Sequence, residues 1–249
     1  MFKSTLKTVI LVLVIHASHV SAESMTVLSQ DYPPFQWVDS DGKATGFGVD
    51  LVKTIFATAK LPMANHEIVI MPWVRAYQET LKNKNTAVFM TVRTMERDPL
   101  FKWVGPLFPR RIWLFALGER TDLEGLTFEA AKKKIIGGYR ASASTNYLKQ
   151  LGFINVPEVD TPLQNFKKLI SGRVDMVPSI DLQMSLILKK YGYEQSKVKK
   201  ILLLDERFNY YLAINIETSD KTVTQLQQAF DQLKASGTYQ KLYQQWLAE

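Results

Sequence analysis

The chain has no cysteine among its 249 residues. That excludes disulfides, thiolate metal sites, cysteine nucleophiles and a cysteine-borne lipid anchor. Histidine is nearly as scarce, with three in all. His16 and His19 lie in the first twenty residues. That leaves His66 to serve any Ser-His-Asp triad, and its place before the run Glu67–Met71 reads as a strand-edge histidine. A histidine-rich metal site is excluded, and no metal or cofactor is expected. Past the N-terminus there is no apolar run of about twenty residues, so no membrane span is expected.

The N-terminus itself has a defined pattern. Lys3 and Lys7 precede the apolar run Thr8–Ile15, and Val20-Ser21-Ala22 ends it with small residues. This reads as a secretory signal over residues 1–22, cleaved after Ala22. The run is too short for an anchor. The remaining chain is expected to be soluble, exported to the periplasm, and long enough to bury real cores.

The formal charge is +7. The clusters Lys132–Lys134 and Lys197–Lys200 are short and read as solvated surface, so no nucleic-acid partner is expected. A mildly basic surface suits anionic ligands.

Strand and helix patterns alternate through the first hundred residues. Thr26–Ser29 reads as a strand, and Gln36–Phe47 as a hairpin turned at Asp41-Gly42. Val49–Lys60 carries a helical stripe, Glu67–Met71 reads as a strand, Trp73–Lys82 as a helix opened by Pro72, and Thr86–Met90 as a buried strand. A second run of βα units occupies Arg111–Tyr191, including a helix over Leu123–Lys134. Val198–Leu204 and Phe208–Asn215 read as strands, and Lys221–Lys234 and Thr238–Leu247 as closing helices. This alternation predicts an α/β protein of two lobes. Arg111–Leu117 would leave the first lobe and Phe208–Asn215 would return to it. The expected division is residues 23–111 plus 212–249 for lobe one and 112–211 for lobe two, with a cleft and hinge between them.

The segment Thr91–Phe108 places Arg93 and Arg97 in the loop leaving a buried strand. A guanidinium is planar, permanently charged and able to bond both oxygens of a carboxylate. Arg97 is therefore the candidate anchor; its plainer alternative is an ion pair with Glu96 or Asp98. Trp73 and Arg75 stand where a strand ends and a helix begins, a usual ligand position in α/β sheets, although Arg75 could instead pair with Glu79. Tyr32 and Phe35 flank a stiff Pro33-Pro34 loop, and simple packing is the rival reading for Phe35. Arg140, Ser142 and Ser144 surround a helix start that could seat an anion. Asp181 could be either a ligand contact or the cap of the helix that follows. By alternation, at most one of Tyr210 and Tyr211 faces the cleft.

Together these segments resemble the family 3 extracellular solute-binding proteins. The resemblance is carried by Tyr32-Pro33-Pro34-Phe35, Gly46-Phe47-Gly48-Val49-Asp50-Leu51, Thr94-Met95-Glu96-Arg97, Trp103-Val104-Gly105-Pro106, and the ending from Ser236 to Trp246. It implies a type II periplasmic binding protein fold, each lobe a mixed, mainly parallel sheet flanked by helices, joined by two hinge strands. It implies a monomeric receptor that captures a small carboxylate-bearing solute, such as a polar amino acid, for an ABC importer permease. In that family an arginine at the position of Arg97 holds the α-carboxylate, an aromatic such as Tyr32 or Phe35 covers the ligand, a Gly-Thr pair adds donors, and an aspartate binds the ammonium. Here the pair reads Ala141-Ser142, and Asp181 falls about one residue late. Two other functions stay open: a dehydratase-like enzyme on the same fold, with Glu67, Asp175 or Asp181 as the acid, and a ligand-sensing partner of a membrane receptor.

Overall fold

The computed structural model describes residues 24–247. The expected signal segment lies outside these residues. The strands are β1 Met25–Ser29, β2 Trp37–Val38, β3 Ala44–Thr45, β4 Met63–Ile70, β5 Thr86–Val92, β6 Phe101–Phe108, β7 Ile112–Leu117, β8 Gly138–Tyr139, β9 Glu158–Val159, β10 Val177–Ser179, β11 Val198–Asp205 and β12 Tyr210–Asn215. The helices are α1 Phe47–Ala59, α2 Trp73–Lys82, α3 Phe128–Ala131, α4 Ala143–Gln150, α5 Pro162–Ile170, α6 Asp181–Lys190, α7 Asp220–Ala235 and α8 Thr238–Leu247.

A five-stranded sheet runs β4-β1-β5-β12-β6. β1 pairs in parallel with both β4 and β5, whereas β12 is antiparallel to β5 and β6. Side chains alternate across it, as the two-residue strand period requires. Val27, Ala87 and Phe89 enter the core shared with α1 and α7, while Leu28 and Val88 pack with Trp73 and Ala76 of α2. The central strand β5 is buried along its whole length, so it is apolar on both faces.

The second sheet runs β10-β7-β11, with both pairs antiparallel. A parallel bridge from Ile136 to Met176 links it toward the parallel pair β8–β9. The chain passes between the sheets twice, at residues 109–111 and 206–209. Two crossings make a double hinge, so the fold is the two-lobed, cleft-bearing α/β architecture expected, except that the second lobe's three-stranded sheet is antiparallel and not mainly parallel, because both neighbours of β7 run against it.

Local rules account for most element boundaries. Thr161 caps α5 in a full capping box with Gln164, and Pro162 takes the first turn. Ser142 caps α4 by accepting from the Thr145 amide. Two expectations need correction. The helix read over Leu123–Lys134 is only α3, because Gly125 turns through φ 67° and Thr127 starts a new cap beyond it. Asp181 does not cap α6: Ile180 holds the cap position, and Asp181 is the first helical residue.

Candidate functional site

The crossings bring the five-stranded sheet's C-terminal loops against the start of α4, leaving a partly open cavity of about 80 Å³. Arg97 enters from the loop after β5. It is 8% exposed, and Nη1 donates to the Val92 carbonyl at 3.3 Å while Nη2 donates to the Ala141 carbonyl at 3.0 Å. Its guanidinium carbon lies 5.2 Å from the ring centres of Trp73 and of Tyr77. Burial lowers its affinity for the proton below the ordinary value, and the neighbouring Arg110 adds to this. Two of its five N–H donors are used in those bonds, which leaves others for an anion.

Trp73 starts α2 and its indole N–H also donates to the Ala141 carbonyl, at 3.2 Å. Ala141 therefore receives two bonds from across the cleft. It holds φ 54°, a left-handed conformation costly for a residue with a Cβ. The Gly-Thr pair implied by the resemblance would carry glycine at this point, and the geometry explains why.

Tyr32 lines the cavity, and its hydroxyl lies 3.1 Å from that of Tyr210. Burial pushes the Tyr32 phenol well up, and Tyr210 pushes it further, so it stays a neutral hydroxyl. Tyr210 faces the cavity, whereas Tyr211 sits beside Trp103 and Arg93. Ser142 and Ser144 line the opposite wall at the start of α4.

The remaining sequence candidates are not assembled here. Phe35 is fully buried and packs edge-to-face against Phe47 and Phe108 in the core, so packing is its role. Arg93 pairs with Asp98 at 2.5 Å on the surface. Arg75 is exposed on the outer side of α2, and its expected partner Glu79 instead accepts from Asn83 at 2.8 Å. Arg140 pairs with Asp160 at 2.8 Å. Asp181 pairs with Lys200 at 2.5 Å and faces a separate outer depression. The acids considered for catalysis are equally remote. Glu67 is exposed on β4, and Asp175 pairs with Arg120 at 2.9 Å and accepts from the Ile135 amide.

The structure adds a residue that sequence reasoning missed. Arg110 lies in the first crossing, is 2% exposed and lines the cavity. Its Nη1 donates to Asp205 at 2.7 Å, and its Nη2 donates to the Ser144 hydroxyl at 2.7 Å. Asp205 ends β11 beside the second crossing and also accepts from Arg207 at 2.9 Å. Burial alone would raise its carboxyl, but the bonds from Arg207 and Arg110 outweigh that and hold it below the usual range. One buried cluster thus ties the two crossings to α4. The only available signal was the doublet Arg110-Arg111 after Pro109, which marks a charged residue entering a strand. Tyr139 was also missed: its hydroxyl donates to Gln30 across the cleft, both side chains lining the cavity.

Two lobes and a double crossing thus flank a partly open cavity. Residues 25–249 match the family of bacterial extracellular solute-binding proteins, family 3, and the chain belongs to it. It is 26% identical over 252 residues to the arginine-binding periplasmic protein of Mannheimia haemolytica, covering 98% of both chains. It is 24% identical over 232 residues to ABC transporter arginine-binding protein 1 of Escherichia coli, covering 89% of each. Among solved structures it resembles an ancestral arginine-binding protein bound to arginine, with a TM-score of 0.77, 22% identity, and 90% and 98% of the two chains covered. A histidine kinase sensor domain gives the same TM-score at 16% identity, with 91% of this chain and 97% of that chain covered. At those identities the structural likeness establishes the fold.

Proposed function

We propose that this protein is a periplasmic receptor that captures a small carboxylate-bearing solute, the broad class to which polar amino acids belong, and presents it to the permease of an ABC importer. It acts without chemical turnover. Its lobes meet at the crossings at residues 109–111 and 206–209, and closing them around the solute produces the form the permease reads. The observation that carries this reading is the buried Arg97, packed against the Trp73 and Tyr77 rings and lining the same cavity as the Ser142 cap. A carboxylate there would meet a guanidinium and the free amides at the start of α4. The names of the relatives support the transport role.

A thermal-shift screen of amino acids and small carboxylates tests this. A carboxylate ligand should raise the melting temperature, and Arg97→Ala should weaken its affinity by roughly tenfold to a hundredfold, the size of a lost charged hydrogen bond. Unchanged affinity in Arg97→Ala would remove Arg97 as the anchor.

A further inference from the structure

The cavity has two unlike walls. Charged groups come from lobe one and the crossings. Arg97 lines the cavity, Arg110 is neutralised there by Asp205, and Glu96 and Asp205 border the adjoining depression that shares Arg97 and Trp73. The charged ends of a solute are met on that side. The wall contributed by α5, β10 and α6 carries no charged side chain among the described lining residues. It is apolar, with Phe166, Val177 and Met184, and its polar side chains are those of Asn165, Ser179 and Gln183.

Two of those polar groups are incompletely bonded. Asn165 is 5% exposed, and its Nδ2 donates to the Gly138 carbonyl at 2.9 Å, which leaves Oδ1 without a donor. That bond also fixes the orientation of the amide, because a flip would set two oxygens against each other. Gln183 is 3% exposed, and its Oε1 accepts from the Ser179 hydroxyl at 3.2 Å, which leaves Nε2 without an acceptor. Buried amides are normally paired, so an open acceptor and an open donor on one uncharged wall point to a ligand that supplies both partners.

The inventory of side-chain groups narrows that partner. A carboxylate brings acceptors alone and would meet Asn165 Oδ1 lone pair to lone pair. An ammonium or guanidinium group brings donors alone, would leave Gln183 Nε2 unmet, and would find no acid on this wall. A carboxamide brings N–H donors and a carbonyl acceptor, and it has no net charge to desolvate. We infer that Asn165 and Gln183 form a subsite for an uncharged carboxamide at the end of the solute remote from Arg97. This inference deepens the carboxylate-receptor reading above and rests on it.

Titration calorimetry on the wild-type protein tests it with L-glutamine, L-glutamate, L-methionine and L-lysine, and with the shorter pair L-asparagine and L-aspartate. Glutamine or asparagine should bind at least about tenfold more tightly than the charged and apolar amino acids. Gln183→Leu and Asn165→Leu should each remove that lead, whereas general loosening of the fold would weaken every ligand alike. Either variant suffices if the other fails to fold. A lead that survives the substitutions overturns this inference. So does an Arg97-dependent carboxylate ligand, from this panel or from the thermal-shift screen, that binds as tightly as the carboxamides. Both outcomes leave the receptor reading standing. Failure of every carboxylate to bind, or binding indifferent to Arg97→Ala, overturns both.

Discussion

Arg93 and Arg97 leave the same strand four residues apart, yet the molecule uses them in opposite ways. Arg93 turns outward to Asp98, with both side chains about half in water. Arg97 turns inward, gives up its water, and takes carbonyls and ring faces instead. The same contrast divides the rest of the protein. Arg140, Lys199 and Lys200 make ion pairs on the outer surface, whereas Arg97 and Arg110 stand buried around the cavity. Exposed pairs gain little because water competes for both charges. Arg110 is paired with Asp205 there, whereas Arg97 acts on whatever enters, because a low-dielectric surrounding strengthens every charge contact.

The largest effect that tests this contrast comes from the clasp at the crossings. Arg110→Ala would leave Asp205 buried with one of its two arginine partners gone, and should cost about 3–5 kcal/mol of stability by denaturant unfolding. A loss below 1 kcal/mol would show that Arg207 alone satisfies the carboxylate.

Acid should produce a smaller effect by the same route. The folded protein holds the Asp205 carboxyl below its ordinary value of 3.8, so this group contributes stability above that pH. The contribution is lost as pH falls through the depressed value, where the folded protein too takes up the proton. Melting curves between pH 6 and pH 3 should therefore fall more steeply for wild type than for Asp205→Asn. Parallel curves would assign the acid sensitivity to other groups.

The smallest effect belongs to the outer region. Arg93→Ala removes an exposed pair and should change stability by no more than about 1 kcal/mol, with solute affinity unchanged. A clear loss of affinity would place Arg93 in the site and erase the contrast between the two arginines.

The candidate site was legible where local chain geometry points a side chain. Tyr32 sits on a stiff loop, Trp73 at a helix start, Ser142 at a cap and Arg97 just past a buried strand. All four line the cavity. For Phe35 the rival packing reading prevails, because an aromatic beside a proline loop can face either way and the core of Phe47 and Phe108 claimed it. Arg75, Arg140 and Asp181 occupy plausible positions along the chain, but their directions depend on partners distant in sequence. Lys200 faces Asp181 from β11.

The sequence by itself determined the alternation of strands and helices, the helix caps, and the family to which the chain belongs. Those follow from periodicity and short-range hydrogen bonding, which act within a few residues. Which of two neighbouring arginines is buried was decided by tertiary structure alone. Arg110 lines the cavity because buried Asp205 from the end of β11 pairs with it, whereas Arg111 pairs with Glu206 on the surface. The absence of any carboxylate from the cavity was likewise set by packing. No aspartate or glutamate is among the described residues lining it, and the paths of distant segments pair Asp205 with Arg110 and Asp181 with Lys200.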